Sequence, residues 1–234
     1  MLVVDETMDV TNDVTDDVTG APQIPNQRGE RLRDAAVRYA EERHWDVLPG
    51  SWLEPVAGAV QCWEQCCCGA ADCPSPGAHP THAGWADQAT GSAVVARRMW
   101  AKAPRASILL PTGRTFDALD VPETAGCLAL ARMERMDVEL GPVTSTPGRR
   151  MLFFVLPGAA AKIPDLVRNQ GWSPSSIDLV ARGEGDYVVA PPTRMGRHGS
   201  SVQWARRPTA ANRWLPDAAE LVSALAYACG REGH

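Results

Sequence analysis

The sequence predicts an α+β domain with an inserted zinc-binding loop. Three observations lead there. Apolar positions recur at helical spacing near both ends of the chain, short strand-like runs lie between them without strict alternation, and cysteines crowd a stretch rich in Gly and Pro. Strict alternation of helix and strand would have pointed to a doubly wound sheet instead.

At 234 residues the chain is long enough to bury a sizeable core. Residues 1–27 repeat Asp-Val-Thr at 9–11, 13–15 and 17–19 and hold no aromatic residue, which reads as a disordered acidic tail. The domain then spans 28–230. From Arg28 to His44, Leu32, Ala35, Ala36, Tyr39 and Ala40 mark one face of a helix. A short extended run follows at 45–49, then a Cys/Gly/Pro loop over 55–84. Thr90 is placed to cap a second helix carrying Val94, Val95, Met99 and Trp100. Past Pro104 come strands at 106–110 and 116–121, a helix near 123–136, and strands at 142–146, 150–156, 177–181, 186–190 and 201–205. A helix over 216–228 closes the domain.

The formal charge of −5 belongs to the tail. Asp5, Glu6, Asp9, Asp13, Asp16 and Asp17 all precede the first basic residue, Arg28; removing those six from 28 acidic residues leaves 22 against 23 bases. Of the bases only Lys102 and Lys162 are lysine, and arginine suits bidentate phosphate contact. The pairs Arg97-Arg98, Arg149-Arg150 and Arg206-Arg207, and Arg194 with Arg197, are candidate backbone contacts for nucleic acid. The tryptophans Trp45, Trp85, Trp100 and Trp204 read as packing before stacking. No apolar run is long enough to span a membrane and no basic leader precedes one, so the expected address is cytoplasmic.

Five of the seven cysteines fall between Cys62 and Cys73, which favours a metal site over disulfides. Zinc takes four thiolate or imidazole ligands in a tetrahedron. Cys66, Cys68, Cys73 and His79 supply such a set, the first two on a tight turn and the others on a Pro- and Gly-stiffened loop. Cys62, Cys67 and His82 are alternative ligands. Four protein ligands describe a structural site rather than a catalytic one.

Taken in order, several segments resemble the bifunctional primase-polymerase domains of the archaeo-eukaryotic primase superfamily. These are Ala40 to Pro49, Cys66-x-Cys68-Gly69 with Cys73-Pro-Ser-Pro-Gly77-x-His79-Pro80, and Gly84-Trp85. They continue with Thr112-Gly113, Leu119-Asp120-Val121, Ile177-Asp178-Leu179, Tyr187-Val-Val-Ala-Pro-Pro192 and Trp204. The resemblance implies an RRM-like catalytic sheet with flanking helices. It also implies DNA and nucleotides as partners, and phosphoryl transfer supported by Mg²⁺ or Mn²⁺. Divalent ions of that kind need anionic oxygen ligands, which the resemblance places at Asp120 and Asp178.

The chain departs from the family pattern in three places. Pro122 stands where a second strand carboxylate is expected, Met151 where a nucleotide-site histidine is expected, and Ala78 where a lysine is common. Arg149 and Arg150 are the candidate nucleotide contacts in its stead. Glu123 would face away from Asp120 on a continuing strand, or sit in the first turn of a helix begun by Pro122. The sequence therefore predicts a primase/polymerase-like domain that binds nucleotide or DNA with its polymerase chemistry weakened or lost. An active enzyme whose metal site is completed otherwise, and a zinc-stabilised adaptor contacting replication or regulatory proteins, are the alternatives.

Overall fold

The computed structural model describes residues 25–56 and 64–232. The predicted tail lies, up to residue 24, outside the described residues, as does Cys62. The chain opens with α1 (Pro25–Arg43), β1 (Leu48–Pro49), β2 (Leu53–Pro55) and β3 (Glu64–Cys66). Next come α2 (Ala93–Lys102), β4 (Ile108–Pro111), β5 (Asp117–Pro122), α3 (Glu123–Arg135), β6 (Val143–Thr146) and β7 (Arg150–Val155). It finishes with α4 (Ala159–Asn169), β8 (Val180–Arg182), β9 (Tyr187–Ala190), β10 (Arg194–Met195), β11 (Ser200–Ser201), β12 (Gln203–Arg206) and α5 (Ala218–Glu232).

The central sheet has the order β12-β6-β7-β5-β8, every pair antiparallel. Its segment β5-α3-β6-β7-α4-β8 is a split β-α-β-β-α-β unit, the topology that an RRM-like sheet requires. Side chains alternate across it. Leu119, Val121, Met151, Phe153 and Val155 enter a core built with α3, α4 and α5. Ala118, Leu152 and Phe154 face the other way, into a second core with α1, α2, β4 and β9. There Trp45 lies against Phe116 and Phe154, whose rings stack at 4.5 Å. The smaller sheet β1-β4-β9 belongs to this second layer.

Several expectations are adjusted. The second helix is capped by Ser92, which accepts from Val95 N at 3.5 Å, rather than by Thr90. Pro122 is the cap of α3, and Glu123 is its first helical residue. The strand expected at 177–181 begins only at Val180. Helix α4, unassigned from sequence, carries an internal Pro164 that removes one backbone donor. Its apolar residues Ile163 and Val167 anchor it regardless. Among the described residues no helix is long and apolar enough to cross a membrane.

Candidate functional site

Asp120 is the one acidic side chain of β5 on the face it shares with Ala118, opposite α3, α4 and α5, and it is almost wholly buried. Residues of the same parity on β7 share that face: Asp120 pairs with Leu152, and Pro122 with Arg150. Arg150 Nε donates to Asp120 Oδ1 at 2.7 Å, and its Nη2 donates to the Asp120 carbonyl at 3.2 Å. Its Nη1 and Nη2 donate to Asp178 at 2.5 and 3.0 Å. Arg182, on β8, donates from Nε and Nη2 to the second oxygen of Asp120 at 3.1 and 2.7 Å. The predicted carboxylate pair is thus brought together, but by a guanidinium that bonds to both members. Burial alone would lower the Arg150 pKa; the carboxylates of Asp178 and Asp120 outweigh it and hold the guanidinium above the ordinary arginine range.

Asp120, Arg150 and Arg182 line a cleft of about 420 Å³, together with Thr146, Tyr187 and the loop residues Ser75 and Ala78. Such a volume suits a small ligand. Arg149 sits beside the cleft in a turn with φ 57, exposed, 3.6 Å from Glu123. Glu123 also accepts from Ser145 at 3.0 Å. Ser145 pairs with Met151 on the helix-side face of the sheet, so Glu123 is turned away from Asp120.

Met151 lies in the core behind the sheet, against Gly126, where an added Cβ would stand 2.8 Å from it. A side chain at 151 therefore cannot reach the cleft, and the expectation of a nucleotide-site position there is corrected by the register. Arg150 is its neighbour on the cleft face. Arg182 was not identified from sequence. Its signal was parity, since it lies two residues beyond Val180, the partner of Asp120.

The Cys/His loop forms one wall of this cleft. Cys66, Cys68, Cys73 and His79 place their donor atoms within 4.8 Å of one another, so this cluster could hold a metal ion such as zinc. The fit is chemical as well as spatial. His79 Nδ1 bonds to the Pro80 carbonyl at 2.7 Å, leaving Nε2 directed at Cys66 Sγ, 3.2 Å away. Of the alternatives, Cys67 accepts from Trp52 N at 3.3 Å, and His82 is engaged by Thr81 and Gln88. Burial pushes the Cys66 thiol up, but donors from the Gly77 and Cys68 backbone and from Ser51 outweigh it and bring it to about 6. Burial pushes Cys73 up to about 11, so a metal bound there must displace its proton. Gly77 is required by its surroundings: φ is 73, and a Cβ would stand 2.6 Å from Leu53 Cγ. Tyr187 Oη donates to the Ala78 carbonyl at 3.2 Å and fastens this loop to β9.

A split antiparallel sheet with a buried carboxylate in a cleft walled by a Cys/His loop defines a primase-like α+β domain. The family model for the bifunctional DNA primase/polymerase, N-terminal domain matches residues 36–217, and the chain belongs to that family. No curated protein matches the sequence.

Proposed function

We propose that this chain is a primase/polymerase-fold domain that retains binding of DNA or nucleotide while its nucleotidyl-transfer chemistry is weakened or lost. The observation that carries the reading is the position of Arg150, whose donors are taken up by Asp120 and Asp178. Oxygen atoms that would coordinate Mg²⁺ or Mn²⁺ already accept charge-assisted hydrogen bonds. A divalent ion must displace a tethered cation to reach them. Pro122, opposite Arg150, adds no ligand.

In this reading Asp120 and Asp178 are the remnant of a metal-binding pair and Arg150 is its internal counter-ion. Arg149, exposed at the cleft rim, is the nucleotide-phosphate contact. Cys66, Cys68, Cys73 and His79 hold a structural zinc that orders the loop. The acidic residues before α1 precede one domain that runs to α5, and a thiol-rich zinc loop suits a cytoplasmic address.

Isothermal titration of the full chain with a dNTP at fixed Mn²⁺ tests it, beside Arg150→Ala and the Asp120→Ala/Asp178→Ala double variant. The wild type should show no metal-dependent component, and Arg150→Ala should gain one that the double variant lacks. Template-dependent dNTP incorporation by the wild type, abolished by Asp120→Ala, would overturn the reading in favour of an active polymerase.

A further inference from the structure

A second concavity lies on the same face of the sheet, at its opposite edge. It is an open groove of about 760 Å³ between α1 and β12, and it shares no lining residue with the carboxylate cleft. Arg31 and Arg38 reach it from α1, Arg97 from α2, and Arg207 from the residue after β12. All four are exposed, and none forms an ion pair with another described residue. Among the described residues the one acid on its lining, Asp34, is paired with Arg33 at 3.1 Å. Between the arginines lie Tyr39 and the partly exposed Trp204, whose Nε1 donates to Tyr39 Oη at 3.2 Å.

We infer that this groove is a docking surface for single-stranded nucleic acid, separate from the cleft and independent of divalent metal. The inference rests on the nucleic-acid-binding part of the proposed function and concerns a different surface. Four cations in one open groove, none of them in an ion pair with another described residue, call for an anionic partner. Arg31 and Arg38 stand two helical turns apart, about 10 Å along α1. With Arg97 on α2 and Arg207 after β12, the cations are spread over several elements, which suits a polyanion. The fixed aromatic edge of Trp204 offers a base a surface that an acidic peptide does not need. The contrast with the sequence-level arginine pairs is informative. Arg150 and Arg194 are committed to carboxylates, and Arg206 lies 3.5 Å from Glu134. Of the others, Arg97 and Arg207 line the groove, joined by two arginines of α1 that no motif marked.

The groove is aligned with the cleft. Trp204 pairs with Thr144, Thr144 with Leu152, and Leu152 with Asp120. Groove and carboxylate therefore stand three strands apart on one row, about 14 Å. Leu152 and Thr144 are buried between them. A strand held in the groove does not touch the carboxylates.

The test is fluorescence anisotropy of a labelled oligothymidylate against the full chain, in EDTA, over a series of salt concentrations. Binding should occur without metal. In the Arg31→Ala/Arg38→Ala/Arg97→Ala/Arg207→Ala variant, the slope of log affinity against log salt should fall by about 0.7 for each arginine that contacts a phosphate. Arg168→Ala, on α4 behind the sheet and paired with Asp165, should leave binding unchanged. A loss in Trp204→Phe smaller than the quadruple variant's would support a stacking role. If the wild type binds and the quadruple variant, shown folded by its unfolding transition, binds equally with an unchanged slope, the groove is overturned while nucleic-acid binding survives. If neither the wild type nor a full chain with Asp13→Asn, Asp16→Asn and Asp17→Asn binds the oligonucleotide, both the groove and the nucleic-acid reading fall.

Discussion

Two clusters of metal-competent donors, one in the Cys/His loop and one on the sheet, differ in what neutralises them. In the loop, Cys66, Cys68, Cys73 and His79 gather without a lysine or arginine donating to any of the three thiols among the described residues. On the sheet, Asp120 and Asp178 gather around Arg150, with Arg182 on the remaining oxygen of Asp120. The first cluster needs an external cation to hold deprotonated ligands together; the second carries its cations on its own strands. A set of ligand-type residues in proximity is thus not yet a metal site. What decides is whether its charge is already balanced.

The largest expected effect is on the loop. Stripping the chain with a chelator should forfeit apparent metal-binding free energy on the order of 10 kcal/mol. It should remove stoichiometric zinc and expose residues 64–84 to proteolysis. A loop equally resistant with and without metal would break the comparison at its stronger end. On the sheet, Arg150→Ala leaves a buried carboxylate short of its partner and should cost about 3 kcal/mol in denaturant unfolding. Added Mn²⁺ should restore part of that stability in the variant but not in the wild type. Gly77→Ala forces a side chain into a left-handed backbone and against Leu53, for about 2 kcal/mol and weaker zinc retention. Smallest of all, Cys67→Ser and His82→Ala should each change stability by no more than about 0.5 kcal/mol and leave zinc content intact. Loss of zinc in either would redraw the ligand set.

Much of this contrast was legible in the sequence, and the illegible part has a physical cause. The loop ligands could be read from donor chemistry and local spacing, because residues 66–79 form one short stiff segment. Asp120 and Asp178 could be named, but not their partner, because the partner depends on cross-strand register. Once Asp120 is known to oppose Leu152, parity puts Arg150 in the cleft and Met151 behind the sheet. Without the register the two neighbours are indistinguishable. Arg182 was hidden for the same reason. Helix α4 was missed because Pro164 reads as a breaker, and only the packing of Ile163 and Val167 overrides it. The ribbons β2-β3 and β10-β11 are too short to leave a periodic signal.

A bound metal ion is a dissociable component: its occupancy rises and falls with supply, and chelation or competition can switch a site off. The guanidinium between Asp120 and Asp178 is covalently part of the chain and keeps its proton at any pH a cell maintains. Its effective concentration at the carboxylates does not depend on the surroundings. The carboxylates of Asp120 and Asp178 are thus balanced by a charge that cells cannot withdraw.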